Sequence, residues 1–168
     1  MKTTKTTNIT KAAKSATAKT PLPLRIKSIL VPLDFSPPSK KALDYAVAFA
    51  RQFKAKLTLV HVVEPVATPD FAASFPLAME NDQSMAAAKK QLESLVKAAR
   101  IPRSAVEKIL VRFGRSFHEI AGAARTRKVD LIIISTHGYT GLKHALLGST
   151  TERVVRHAPC PVLVVRQR

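Results

Sequence analysis

From Lys27 onward, short apolar runs alternate with segments of helical period, and this alternation constrains the fold more than any other property of the chain. Ser28-Ile29-Leu30-Val31-Pro32-Leu33 reads as a strand ending at Asp34. Ser36 followed by Pro37 forms an N-cap with proline in the first turn, after which Leu43, Ala46, Val47, Ala50 and Phe53 recur at helical spacing. Leu57 to Val63 is a second strand, interrupted only by Thr58 and His61. The spacing predicts a helix over Ala86 to Ala99, with Leu92, Leu95 and Val96 on one face, and then a third strand from Val106 to Phe113. Ser116 and Glu119 have the spacing of a capping box for a helix to about Arg127, and Leu131 to Ile134 is a fourth strand. Ser149 and Glu152 repeat the capping box for a short helix to about His157, before a fifth strand from Pro161 to Val165.

Strands alternating with helices imply right-handed crossovers, hence an α/β fold with a five-stranded parallel sheet covered by helices on both faces. The near-continuous Ile, Leu and Val runs agree, because strands in such a sheet are buried on both sides. A ligand then sits beyond the carboxyl ends of the strands, at the topological switch point. That directs attention to Asp34, Val62 to Pro65, Gly114, and Ser135 to Thr150.

Length and charge set further bounds. At 168 residues the chain suits one domain with one core, and the lone Cys160 can form neither an intramolecular disulfide nor a zinc site by itself, which points to a reducing, cytoplasmic setting. Apolar runs stop at five or six residues, far short of the roughly 18–20 that a membrane-spanning helix needs. The net charge of +17 raises nucleic acid or another anionic partner as a class. Residues 1–26 hold six basic groups and no acid, residues 27–98 nine basic and seven acidic, and residues 99–168 thirteen basic and four acidic. The excess therefore lies in a leading segment and in the second half. Residues 1–26, rich in Lys, Thr, Ala and Ser, read as a disordered basic tail, and residues 27–168 as the folded domain.

The stretch from Ser135 to Thr150 leaves a strand, passes Gly138, Gly141 and Gly148 and enters a helix. Glycines admit an anion close to backbone amides, and a helix N-terminus adds donors and a favourable dipole. This outlines a phosphate cradle, although neither a Walker A loop nor a GxGxxG fingerprint occurs. Here the chain resembles the universal stress protein family over about residues 27–166. Nucleotide-binding members carry a G-x2-G-x9-G-[S/T] pattern after the fourth strand; Gly138 and Gly148-Ser149 match it, with Ser135 at the first glycine. Val31-Pro32-Leu33-Asp34-Phe35-Ser36 and Ala158-Pro159-Cys160-Pro161-Val162-Leu163-Val164-Val165 also look like the family.

The resemblance implies a Rossmann-like fold of the adenine nucleotide alpha hydrolase-like type and a bound adenine nucleotide, usually ATP, accompanied by Mg2+ or Mn2+. Pro32 and Asp34 would flank the adenosine end, and the Val62 backbone would meet the adenine edge. Ile134, Ser135, His137 and Gly138 would wrap the ribose and phosphates, while Gly148, Ser149 and Thr150 would donate to the phosphate chain. It further implies a homodimer through the last strand, Pro161 to Val165, whose outer edge would otherwise lie open.

Plainer readings stand beside these. Asp34 could cap the turn it sits in, Ser149 could cap its own helix, and the glycines could serve turns alone. His61 reads as a packed core histidine, and Cys160 as a small buried hydrophobe. The loop from Glu64 to Gln83, with Phe71 and Phe75, is either a lid or contains a helical turn that meets a partner subunit. No nucleophile elbow occurs and no general base is evident beside the glycine stretch, so the function expected is a stress-response binding or signalling module, with slow hydrolysis or self-phosphorylation at most. The alternative is a nucleotide-independent stress protein whose basic tail and surface bind nucleic acid; the tail lacks the interleaved aromatics that suit single-strand stacking.

Overall fold

The computed structural model describes residues 24–65, 76–136 and 147–166. Within them lie β1 (Ser28–Pro32), α1 (Pro37–Phe53), β2 (Lys56–Val63), α2 (Pro76–Ala98), β3 (Val106–Phe113), α3 (Ser116–Arg127), β4 (Leu131–Ser135), α4 (Ser149–His157) and β5 (Val162–Val165). A 3-10 turn at Arg103–Ala105 leads into β3. All strand pairs are parallel, in the order β3-β2-β1-β4-β5. The tail expected over residues 1–26 falls almost wholly outside the described residues, as do His137, Gly138 and Gly141.

Local chemistry explains where α1 begins and ends. The Ser36 hydroxyl accepts from the Ser39 amide at 3.3 Å, Pro37 and Pro38 occupy positions that need no amide donor, and Lys54 closes the helix at φ 55° with its amide on Ala50 O. Its buried face is Ser39, Ala42, Ala46 and Ala50, small side chains that let the helix lie close to the sheet, with Leu43 as the one large side chain fully buried in the core. Strand residues divide by parity. Ile29, Val31, Leu57, Leu59 and Ile133 pack with α1 and α2, whereas Leu30, Val60, Ile132 and Ile134 pack with α3 and α4. Each fully buried Leu or Ile contributes about 1.5–3 kcal/mol from the area it removes from water.

Three expectations need correction. The second helix starts at Pro76 rather than Ala86, so the later part of the predicted loop is helical. Pro76 tolerates the first turn, and Leu77, Ala78, Met79 and Glu80 are strong helix formers that their Pro- and Phe-rich approach obscured. Neither capping box forms: Ser116 and Ser149 are the first residues of their helices, and the N-cap positions fall on Arg115 and Gly148 without side-chain caps. The Ser116 amide is instead capped from across the fold, and the Gly148 backbone is pinned to the end of β4.

β1 is the switch strand. It pairs with β2 along its whole length, from Ser28–Lys56 to Pro32–Val60, but with β4 only at Ile29–Leu131 and Leu30–Ile132. β1 and β4 therefore part toward their carboxyl ends.

Candidate functional site

An open cleft of about 220 Å3 occupies that parting. It far exceeds the roughly 10–15 Å3 needed for a water and is of a scale that admits an organic ligand. Of the residues expected at the site, Pro32, Asp34, Val62, Ile134, Ser135, Gly148, Ser149 and Thr150 all line it. His137 and Gly138 lie outside the described residues.

The floor is apolar, from Pro32, Leu33, Val60, Val62 and Ile134 at the ends of β1, β2 and β4. Polar groups converge on one wall. Thr151 Oγ1 donates to Ser135 O at 2.8 Å, and the Gly148 amide donates to Thr136 O at 2.7 Å. These bonds fix the start of α4 against the end of β4. The first-turn amides of Ser149, Thr150 and Thr151 have no partner within their own helix. They and the helix dipole present a donor-rich, positive end to the cleft.

At the end of β1, Asp34 Oδ1 accepts from the Ser36 amide at 3.1 Å and from the Ser36 hydroxyl at 2.5 Å. Phe35 takes φ 66°, a left-handed conformation unusual for a bulky residue, and the chain turns away from the sheet there. The Phe35 ring lies 4.6 Å, centroid to centroid, from the His61 imidazole.

Several lining residues were not expected from the sequence, namely Ser39, His61, Ser116, Ile120 and Thr151, while Glu64 falls in the Val62 to Pro65 segment that strand-end logic singled out without a role for its side chain. Glu64 Oε1 accepts from the Ser116 amide at 2.8 Å, across 52 residues. The Ser116 hydroxyl and amide hold the Glu64 carboxyl below the usual carboxylate range, against a smaller opposing effect of burial. The presence of Glu64 directly after β2 was the available signal; its partner was not legible. His61 is half-buried and hydrogen-bonded rather than simply packed, which corrects its reading as a core histidine.

Cys160 lies away from the cleft, half-buried in the packing of α3 and α4. Burial and the nearby Asp130 carboxylate push its thiol pKa up, which disfavours a nucleophilic thiolate. Among the described residues, no group of three His, Cys, Asp or Glu could hold a metal ion, and no helix is long and apolar enough to cross a membrane.

The universal stress protein family model matches residues 25–166, nearly the entire described fold. The chain belongs to the universal stress protein family. A universal stress protein of Methanocaldococcus jannaschii is 33% identical over 148 residues, spanning 84% of this chain and 82% of the relative. The solved universal stress protein UspA from Lactobacillus plantarum superposes with a TM-score of 0.73 at 32% identity, covering 84% of this chain and 99% of that one. A universal stress protein solved in complex with cAMP shares the fold at 23% identity and a TM-score of 0.60, covering 83% of this chain and 97% of that one.

Proposed function

We propose that this universal stress protein is a cytoplasmic ATP-binding module of the stress response, with the phosphates of the nucleotide on the N-terminus of α4 and its base toward the end of β2. The observation that carries the reading is the anchored start of α4, where Gly148 and Thr151 are bonded to the end of β4 and the Ser149 and Thr150 amides border the cleft. A donor-rich helix end facing an apolar floor suits a ligand with an anionic chain at one end and a flat ring at the other. The cAMP complex of a relative with this fold supports an adenine nucleotide by fold analogy.

The residues present fit that group. The Ser149, Thr150 and Thr151 amides bind and orient phosphate oxygens, Pro32 and Ile134 hold water off the ring, and Asp34 faces the adenosine end. His137 and Gly138 complete the phosphate loop in this reading. ATP, when bound, supplies a transferable phosphoryl group, and Mg2+ or Mn2+ would be held mainly by its phosphates with the Ser149 or Thr150 hydroxyl. Asp34 and Glu64, the carboxylates that line the cleft among the described residues, already accept hydrogen bonds from Ser36 and Ser116. They serve as orienting groups, which favours binding and signalling over rapid hydrolysis. The module works as a homodimer joined along β5.

Calorimetric titration of the full chain with ATP tests the reading, alongside Gly148→Val. Gly148 has φ −67° and ψ 150°, a backbone that does not require glycine, and circular dichroism of the variant separates blocked ligand approach from the cost of valine at the N-cap of α4. Saturable one-to-one binding is expected, weakened about tenfold or more in the variant, the equivalent of one or two lost phosphate hydrogen bonds. Unchanged affinity in Gly148→Val would overturn it. Strongly salt-dependent nucleic-acid binding without ATP affinity would favour the anionic-polymer reading instead.

A further inference from the structure

His61 stands where the β1–β2 ladder stops. The Leu33 amide donates to Val60 O at 2.8 Å, one step past the last paired residue, Pro32. In a regular parallel ladder the next bond runs from the Val62 amide back to the Leu33 carbonyl. That carbonyl instead meets His61 Nδ1 at 2.7 Å. A carbonyl oxygen only accepts, so Nδ1 carries the proton in this contact.

Strand parity says what this substitution leaves exposed. Val60 O faces β1, where it accepts from Leu33, and Val63 O faces β3, where it accepts from the Gly114 amide. With the two-residue period of a strand, the amide and carbonyl of Val62 face the β1 side. There β1 has ended and the chain is turning off through Asp34 and the left-handed Phe35. Among the described residues nothing takes the Val62 amide, and Val62 lines the cleft.

We infer that His61 is a positioning residue: its imidazole ends the β1–β2 ladder one bond early and so keeps the Val62 peptide edge free to read the base of a bound nucleotide. The inference rests on the adenine-nucleotide reading for the identity of the ligand, but its structural core does not. A donor and an acceptor side by side on one residue, the N–H and C=O of Val62, match the donor-acceptor edge of adenine, whose exocyclic amine donates beside a ring-nitrogen acceptor. Guanine presents a carbonyl and a ring N–H in the same places, so the same edge, held at fixed register, discriminates between the two. The Phe35 ring against His61 holds the imidazole and the turn together. Without the imidazole donor, the Leu33 carbonyl would recruit the Val62 amide, and the ladder would close over the base-reading edge.

Two substitutions separate the parts of the side chain. His61→Phe keeps a ring against Phe35 and removes the donor, whereas His61→Asn keeps a donor near the position of Nδ1. Expected for His61→Phe is an ATP affinity about tenfold lower and an ATP-to-GTP preference falling toward one, with binding of inorganic triphosphate unchanged. His61→Asn should stay within about threefold of the wild type. Hydrogen exchange on the ligand-free chain gives a readout that needs no nucleotide: the Val62 amide should exchange quickly in the wild type and become protected in His61→Phe. The inference is overturned by a wild-type Val62 amide as protected as that of Leu33. Equal loss in the Phe and Asn variants, or triphosphate binding lost along with ATP, would overturn it too. A wild-type chain that binds no adenine nucleotide would sink the ATP reading and the base-reading role together, while the exchange experiment would still decide whether His61 ends the ladder.

Discussion

Thr58 sits in the middle of β2, fully buried, and among the described residues its hydroxyl has no hydrogen-bond partner. A buried hydroxyl that has lost water and gained nothing is destabilising, and valine fills the same space without it. Thr58→Val should therefore stabilise the chain by about 1 kcal/mol, roughly 3 °C in Tm, measurable by thermal and urea unfolding. No gain in Tm would mean that the hydroxyl is satisfied. Thr58 and His61 look alike in the sequence, as polar interruptions of an apolar run. Their environments differ because the partner of His61 is a carbonyl 28 residues earlier, on another strand. Short-range pattern carries no information about such a bond. Asp34, Val62 and Gly148, by contrast, were expected near the cleft because the ends of parallel strands must lie together there, whereas Pro32 and Ile134 were expected from the family resemblance.

At the level of elements, the sequence located every strand to within a residue or two, because buried parallel strands are short, continuous and apolar. Helix starts were less legible. A local S-x-x-E pattern competes with tertiary partners that it does not contain, and at α3 the tertiary partner prevails: Glu64, reaching from the end of β2, caps Ser116. The carboxylate also meets the positive end of the helix dipole. Glu64→Ala should cost about 0.5–1 kcal/mol at neutral pH, at the modest end of capping effects because the group is largely exposed and screened. The folded-state pKa lies below the ordinary value of 4.5. The contribution is thus complete above that value and lost as pH falls through the lower folded-state pKa. Urea denaturation at pH 7 and at about pH 3 should show the gap between wild type and variant closing in acid; a gap constant with pH would rule out the charged cap.

For the whole molecule, the sheet leaves edges at β3 and β5. The Ile132 amide donates to Pro161 O and the Thr136 amide to Val165 O, so the odd-numbered residues of β5 face β4. The amides of Val162 and Val164 consequently face the open edge. Val164→Pro removes one outward donor and leaves the β4 ladder intact, a position where an edge strand tolerates proline. In light scattering the wild type should have the mass of two chains and Val164→Pro the mass of one, with unchanged circular dichroism. A variant that remains dimeric would exclude β5 as the joint. Dimerisation along an edge was suggested by the resemblance, whereas the direction of each amide needed the register.

The carboxylate of Asp130 accepts from the amides of Lys27 and Ser28, 103 and 102 residues earlier, where β4 enters beside β1. As the chain emerges from a ribosome, β1, β2 and β3 with α1 and α2 come first, as a half-sheet with one flank of β1 uncovered. β4 must then close a loop of about a hundred residues, a slow and entropically costly event compared with the neighbouring pairings. The cleft lies across that seam, so it exists only after insertion. A ligand held there adds its binding energy solely to chains that have finished folding, and its occupancy becomes a record of completed synthesis as much as of ligand supply.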